Sequence, residues 1–171
     1  MTEKKEYTIQ YSGLAEKSYN YSFVIGKVFF EDFNYTDVSD ANIVITVHLE
    51  KHERMMVFLI VAEGVAEVLC DRCNEPFLLP IHQEFRLIAK ISDEYDGEDD
   101  EIVFLASNAY EIDLKQHFFD FLALQIPIRK THNDSADGSK CNVETISILN
   151  RLTPENNDNR WNELKKIKFD N

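Results

Sequence analysis

The chain has 171 residues, 44% of them hydrophobic, with twelve Phe and seven Tyr, which is enough apolar area for one domain with its own core. Only five Gly and four Pro exclude a low-complexity sequence. A net charge of −13 weighs against a broad phosphate-binding face, since nonspecific nucleic-acid affinity rests on Lys and Arg displacing counterions.

Residues 6–11 and 19–25 read as short strands around Ser12-Gly13-Leu14, and Phe29, Phe30 and Phe33 then open an aromatic cluster with a turn of helix. From Asn42, the order Ile43, Ile45, Val47, Leu49 against Val44, Thr46, His48, Glu50 has the period of two of a half-buried strand. A tight connection at Lys51-His52-Glu53 leads to a very apolar strand over residues 54–62, after which Gly64 permits a bend or bulge. Residues 65–69 and 77–81 flank a cysteine turn, and Phe85, Leu87, Ala89 and Ile91 alternate as a further strand. Consecutive strands with short turns favour an antiparallel meander. Seven of the nine residues from 93 to 101 are acidic and read as a solvated loop.

After residues 102–105 the period changes. Asp113-Leu114-Lys115-Gln116 is shaped like a helix start, with Asp113 capping and Gln116 reaching back. Leu114, Phe118, Phe121, Leu122 and Gln125 or Ile126 then share a stripe that packs on a sheet, and Pro127 ends the helix. A polar loop over residues 132–141 precedes a short helix over 143–152, closed by Thr153-Pro154. In the tail, Trp161, Leu164 and Ile167 or Lys168 share one face of a terminal amphipathic helix carrying Arg160, Lys165 and Lys166. This helix either docks on its own domain or engages a partner. The expected organisation is one α+β domain over residues 1–152, followed by a linker and tail over 153–171. The expected fold is a mainly antiparallel sheet or partly closed sandwich covered by one long helix, with a short helical C-terminal tail.

The longest apolar run, residues 55–62, is eight residues, too short to cross a bilayer, and the N-terminus carries no apolar signal core. Three cysteines, an odd number, without an export signal imply a reducing, cytoplasmic setting with free or metal-bound thiols. The glycines never cluster into a phosphate-cradling loop, and neither a nucleophile elbow nor a His-Glu-x-x-His pattern occurs, so nothing argues positively for an enzyme.

Cys70-Asp71-Arg72-Cys73 is the strongest chemical signal. A Cys-x-x-Cys turn can be half of a tetrahedral zinc site, a redox dithiol or a plain hairpin corner. Redox cycling needs the first thiol at a helix N-terminus, whereas strands flank this pair. A zinc site needs two more ligands, and His132 and Cys141 are the available pair, nine residues apart in one polar loop. Reduced thiols at a hairpin and a loop remain the other reading. His48, His52, His82 and His117 lack ligand spacing and read as surface or interface residues.

Three segments resemble the bacterial YceD family, described as large ribosomal RNA subunit accumulation proteins. Cys70-Asp71-Arg72-Cys73-Asn74-Glu75-Pro76-Phe77 is similar to that family's Cys-x-Arg-Cys-x-x-Pro-Phe signature. Glu111-Ile112-Asp113-Leu114 through Gln125-Ile126-Pro127 is similar to its Ile-Asp-Leu helix, and Asn159-Arg160-Trp161-Asn162-Glu163-Leu164 to its ending. The chain departs by having His132 and Cys141 where many members carry a second cysteine cluster, and Asn159 where they carry proline. The resemblance implies a noncatalytic role in ribosome biogenesis, in accumulation or processing of large-subunit ribosomal RNA. The acidity favours action through ribosomal or assembly proteins, with precursor RNA reached indirectly and Arg160, Trp161, Leu164 and Lys165 as candidate partner contacts. A zinc-binding interaction module and an RNA-processing enzyme are the competing readings.

Overall fold

The computed structural model describes residues 6–92 and 102–153. Its frame is a five-stranded sheet in which β2 (Ser18–Ile25), β3 (Asp40–Lys51), β4 (Met55–Leu69) and β5 (Pro76–Ile91) form an antiparallel meander. The short β6 (Ile102–Leu105) joins β5 in parallel. Alternation sorts the side chains: Ile43, Ile45, Val47 and Leu49 of β3 and Met56, Phe58, Ile60 and Ala62 of β4 all face the core and are buried, as the two-residue period requires. Register keeps them in rows, with Tyr21, Val47, Ile60 and Phe85 lying side by side across four strands.

Gly64 occupies a core-facing position between Ile43 and Ile81. Its φ is +154°, and a Cβ there would stand 2.1 Å from the Asn42 carbonyl oxygen. Only glycine lets β3 and β4 approach this closely. The strand is therefore continuous at Gly64, where the sequence permits a bend or bulge, and β5 likewise runs unbroken through Gln83.

The core face is roofed by several small pieces. A two-stranded ribbon pairs β1 (Thr8–Gln10) with β7 (Glu111–Asp113) and buries Ile9 against Ile112. α1 (Lys27–Asp32) contributes Phe29 and Phe30, and α2 (Lys115–Gln125) contributes Phe118, Phe121 and Leu122. Aromatic contacts join the pieces: Tyr7 meets Phe29 at 5.2 Å between ring centroids, Phe33 stacks on Phe119 at 4.0 Å, and Phe85 meets Phe121 at 3.9 Å. Full burial of a ring such as Phe118 stabilises by roughly 1.5–3 kcal/mol.

The expected α+β fold, a mainly antiparallel sheet or partly closed sandwich under one long helix, is thus corrected. The described chain is mostly strand, its main sheet is mixed, and its helices are three short ones of 6, 11 and 10 residues. The physical reason is that α2 stops at Pro127 after three turns, so that it cannot span a sheet whose strands reach 16 residues. The β1–β7 ribbon and α1 cover what it leaves. The start of α2 also differs from expectation: Asp113 accepts from the Lys115 N–H at 2.8 Å, but Gln116 turns forward to Asp120 at 2.8 Å instead of reaching back. The last helix among the described residues, α3 (Val143–Leu152), has the predicted bounds. The acidic loop of residues 93–101 and the tail beyond Thr153 lie outside the described residues.

Candidate metal centre

The turn between β4 and β5 is built by its own backbone. The Cys70 N–H donates to the Glu75 carbonyl at 3.0 Å, and the Asn74 N–H returns to the Cys70 carbonyl at 2.8 Å. Asn74 takes the left-handed conformation, φ 59°, which Asn tolerates better than most residues. The Arg72 N–H points at Cys70 Sγ at 3.4 Å. Both sulfurs are thereby held to one side, with Cys70 1% and Cys73 7% exposed.

The other half comes from the loop after α2, which is clasped to the turn. Asp71 N–H donates to the Lys130 carbonyl at 2.8 Å, and Lys130 N–H donates to Asp71 Oδ2 at 2.6 Å. Lys130 Nζ reaches Asp37 at 2.9 Å; this bond above all, with the charge of Asp71, holds the ammonium above its usual range against the opposing effect of burial. Next, Thr131 and Asp134 form a reciprocal capping box around a 3₁₀ turn, His132–Asp134, and this fixes the buried His132 ring beside Phe77, 5.0 Å between centroids. Ala136 N–H then donates to the Leu78 carbonyl on β5 at 2.7 Å. Ser135 and Asp137 bond side chain to side chain, and Asp137 accepts from the Ser139 N–H at 2.9 Å. The Ser135 hydroxyl and Ser139 N–H hold the Asp137 carboxyl down to about 2. The loop so reverses and delivers Cys141. Asn142 caps α3 and donates to Glu75 Oε1 at 2.8 Å, tying the return to the cysteine turn.

The two halves bring Cys70, Cys73, His132 and Cys141 together, with their ligand atoms all within 4.8 Å of one another. Cys70 Sγ to Cys141 Sγ is 3.8 Å, Cys73 Sγ to His132 Nδ1 is 3.5 Å, and Cys141 Sγ to His132 Nδ1 is 3.7 Å. Zinc bound tetrahedrally at about 2.3 Å from sulfur and about 2.0 Å from nitrogen would need S···S edges of about 3.8 Å and S···N edges of about 3.5 Å. Those three of the six edges fit that tetrahedron and the other three lie within 4.8 Å, and the soft thiolate–imidazole donor set suits zinc above hard cations. Burial raises the Cys70 thiol, but the backbone N–H groups of Cys73 and Arg72 and the His132 ring outweigh it and bring it down to about 6. Cys141 is raised by burial and by the neighbouring Cys70 and Cys73 sulfurs. A cation at the centre would relieve that crowding of thiolates.

The remaining histidines are elsewhere. His48 bonds Asn20, His82 pairs with Glu63 at 3.3 Å, and His117, expected as a surface or interface residue, is half-buried, which lowers its pKa despite Asp120 and Asp113 nearby. Arg160, Trp161, Leu164 and Lys165 lie outside the described residues. Sequence reasoning missed the clasp of Asp71, Lys130 and Asp37. Its only trace in the sequence was an acidic residue inside the cysteine turn.

Fold and site together define a β-sheet protein in which a hairpin turn and a distant loop converge on a Cys₃His cluster that can hold a metal ion such as zinc. The chain belongs to the family of the large ribosomal RNA subunit accumulation protein YceD, whose family model matches residues 60–168. That span begins inside β4 and includes all four clustered residues. No curated protein and no solved structure matches the chain. Membership implies a role in the accumulation of large-subunit ribosomal RNA. Among the described residues no helix is long and apolar enough to cross a membrane.

Proposed function

We propose that the protein is a noncatalytic, cytoplasmic ribosome-biogenesis factor that supports accumulation or processing of large-subunit ribosomal RNA by binding ribosomal or assembly proteins. The observation that carries this reading is the family match over residues 60–168 in a chain of net charge −13. Such a charge repels RNA phosphates and attracts basic proteins. The Cys₃His cluster serves as a structural zinc site, with Cys70, Cys73, His132 Nδ1 and Cys141 as ligands. Bound zinc would supply a cross-link, since it would fasten the loop and α3 to the end of the sheet. Within the segment over 153–171, Arg160, Trp161, Leu164 and Lys165 serve as partner contacts.

Capture of the tagged full chain at moderate salt, with and without nuclease, tests the protein-partner reading. Ribosomal proteins or assembly factors should stay bound after nuclease. Loss of every such partner would overturn the reading in favour of RNA, and magnesium-dependent cleavage of precursor RNA abolished by one Asp or Glu substitution would overturn the noncatalytic role.

A further inference from the structure

The five-stranded sheet ends on one side at β2 (Ser18–Ile25), which is paired with β3 along its whole length and, among the described residues, with nothing on its outer edge. Alternate N–H and C=O groups along eight residues therefore face outward. Proteins usually guard such an edge with charges, prolines or bulges. Here the sequence Ser-Tyr-Asn-Tyr-Ser-Phe-Val-Ile contains none of these, and the nearest cation, Lys17, precedes the strand with its ammonium over the Tyr19 ring. The core beneath this edge is also unfinished. Tyr19, Tyr21 and Phe23 point to the core side but are only half-buried, whereas their neighbours Ile45, Val47 and Leu49 are fully buried.

A cleft of about 810 Å³ opens at the same edge, lined by Glu6, Val24, Val28, Asp32, Asp113 and Lys115 among others. Its lining carries three carboxylates against one cation, and that cation, Lys115, is already committed to Asp32 at 2.7 Å. Glu6 and Asp113 are left to dominate. Val24 and Val28 are exposed beside them, 67% and 68%.

We infer that the β2 edge and this acidic cleft form a docking surface for an extended, basic segment of a partner protein, which adds as a sixth strand beside β2. The open backbone supplies hydrogen bonds, the half-covered aromatic rings take alternate apolar side chains, and Glu6 and Asp113 take a Lys or Arg. A second copy of this chain fits less well, because two chains each of charge −13 repel one another. The inference rests on the protein-partner reading above and gives it a surface.

The test uses the full chain and a short synthetic peptide alternating Lys or Arg with Val, beside the same peptide with Glu in place of the basic residues. Hydrogen exchange with the basic peptide should slow the outward amides of residues 18–25 by about tenfold or more and leave those of β4 unchanged. Ser22→Lys, and separately Glu6→Gln with Asp113→Asn, should each weaken binding by about tenfold; the Asn keeps an acceptor for the Lys115 N–H. Unchanged β4 exchange in each variant shows that the fold is intact. Equal binding of the acidic peptide, unaltered affinity in both variants, or absence of β2 protection would overturn the inference. Concentration-dependent β2 protection of the protein alone would assign the edge to a second copy and overturn it too. If nuclease-resistant ribosomal proteins are captured without β2 protection, the surface is wrong and the functional reading stands. If β2 binds the basic peptide but no such proteins are captured, the reverse holds.

Discussion

Cys141→Ser is the most informative single change, because it removes one proposed zinc ligand without opening a hole in the core. Cys70 and Cys73 are buried at the head of the sheet, whereas Cys141 is only half-buried. Structural zinc in small domains binds with roughly 10–16 kcal/mol of apparent free energy. One ligand of four accounts for about a quarter of that, roughly 2.5–4 kcal/mol, or about 100- to 1,000-fold in affinity at 1.4 kcal/mol per tenfold. Serine also leaves Asn142, its cap on α3 and its bond to Glu75 in place.

Metal content of untagged protein and competition with a chromogenic chelator give the two readouts. Wild type should hold close to one zinc per chain, and X-ray absorption should find three sulfurs at about 2.3 Å and one nitrogen at about 2.0 Å. In the variant, affinity should fall by the factor above. Exchange of the Ala136 amide, which donates to Leu78, should accelerate, while amides of β3 and β4 keep their protection. A wild-type chain that binds no zinc, or a variant that binds as tightly as wild type, would refute the assignment of the cluster as a metal centre and leave four free side chains packed by the clasp alone.

Gly64→Ala should cost about 3–5 kcal/mol, combining the positive φ with a Cβ driven against the Asn42 carbonyl; thermal unfolding should show a fall of roughly 10 °C or more. Asp71→Ala removes the acceptor of the Lys130 N–H and should weaken the clasp by about 0.5–1.5 kcal/mol, seen as faster protease nicking within residues 133–140 with little change in global melting. Burial disfavours the charged form of His117, so its pKa is below the ordinary value. The unfolded chain then binds the proton first as pH drops below about 6.5, and the contribution to stability, complete above that pH, is lost on acidification toward the folded pKa. His117→Gln should flatten that part of the stability profile, as read by urea unfolding between about pH 7 and pH 5.

Strand alternation made the meander legible, because each core-facing residue of β3, β4 and β5 repeats at a strict period of two. The roof was less so. β1 pairs with β7 across about a hundred residues of sequence, a partnership that no local pattern encodes, and three-residue strands carry too few alternations to be seen. β6 pairs in parallel with β5, which runs against the expectation that neighbours in sequence pair antiparallel. The Cys₃His cluster was legible as a set of residues but its closure was not. Nine residues from His132 to Cys141 exceed ordinary knuckle spacing, and they close because two local devices shorten the path: the Thr131–Asp134 capping box winds the first turn, and Asp137 gathers Ser135 and Ser139 into the second. Both devices use only Ser, Thr and Asp, the residue types that bond their own backbone and so mark any loop. What distinguishes this loop is the pair of external anchors, Lys130 on Asp71 and Ala136 on Leu78, which align it with the cysteine turn. A bound zinc would therefore be the last bond in a site whose four donor atoms the backbone already holds within 4.8 Å of one another, and metal loss should free the loop before it disturbs the sheet.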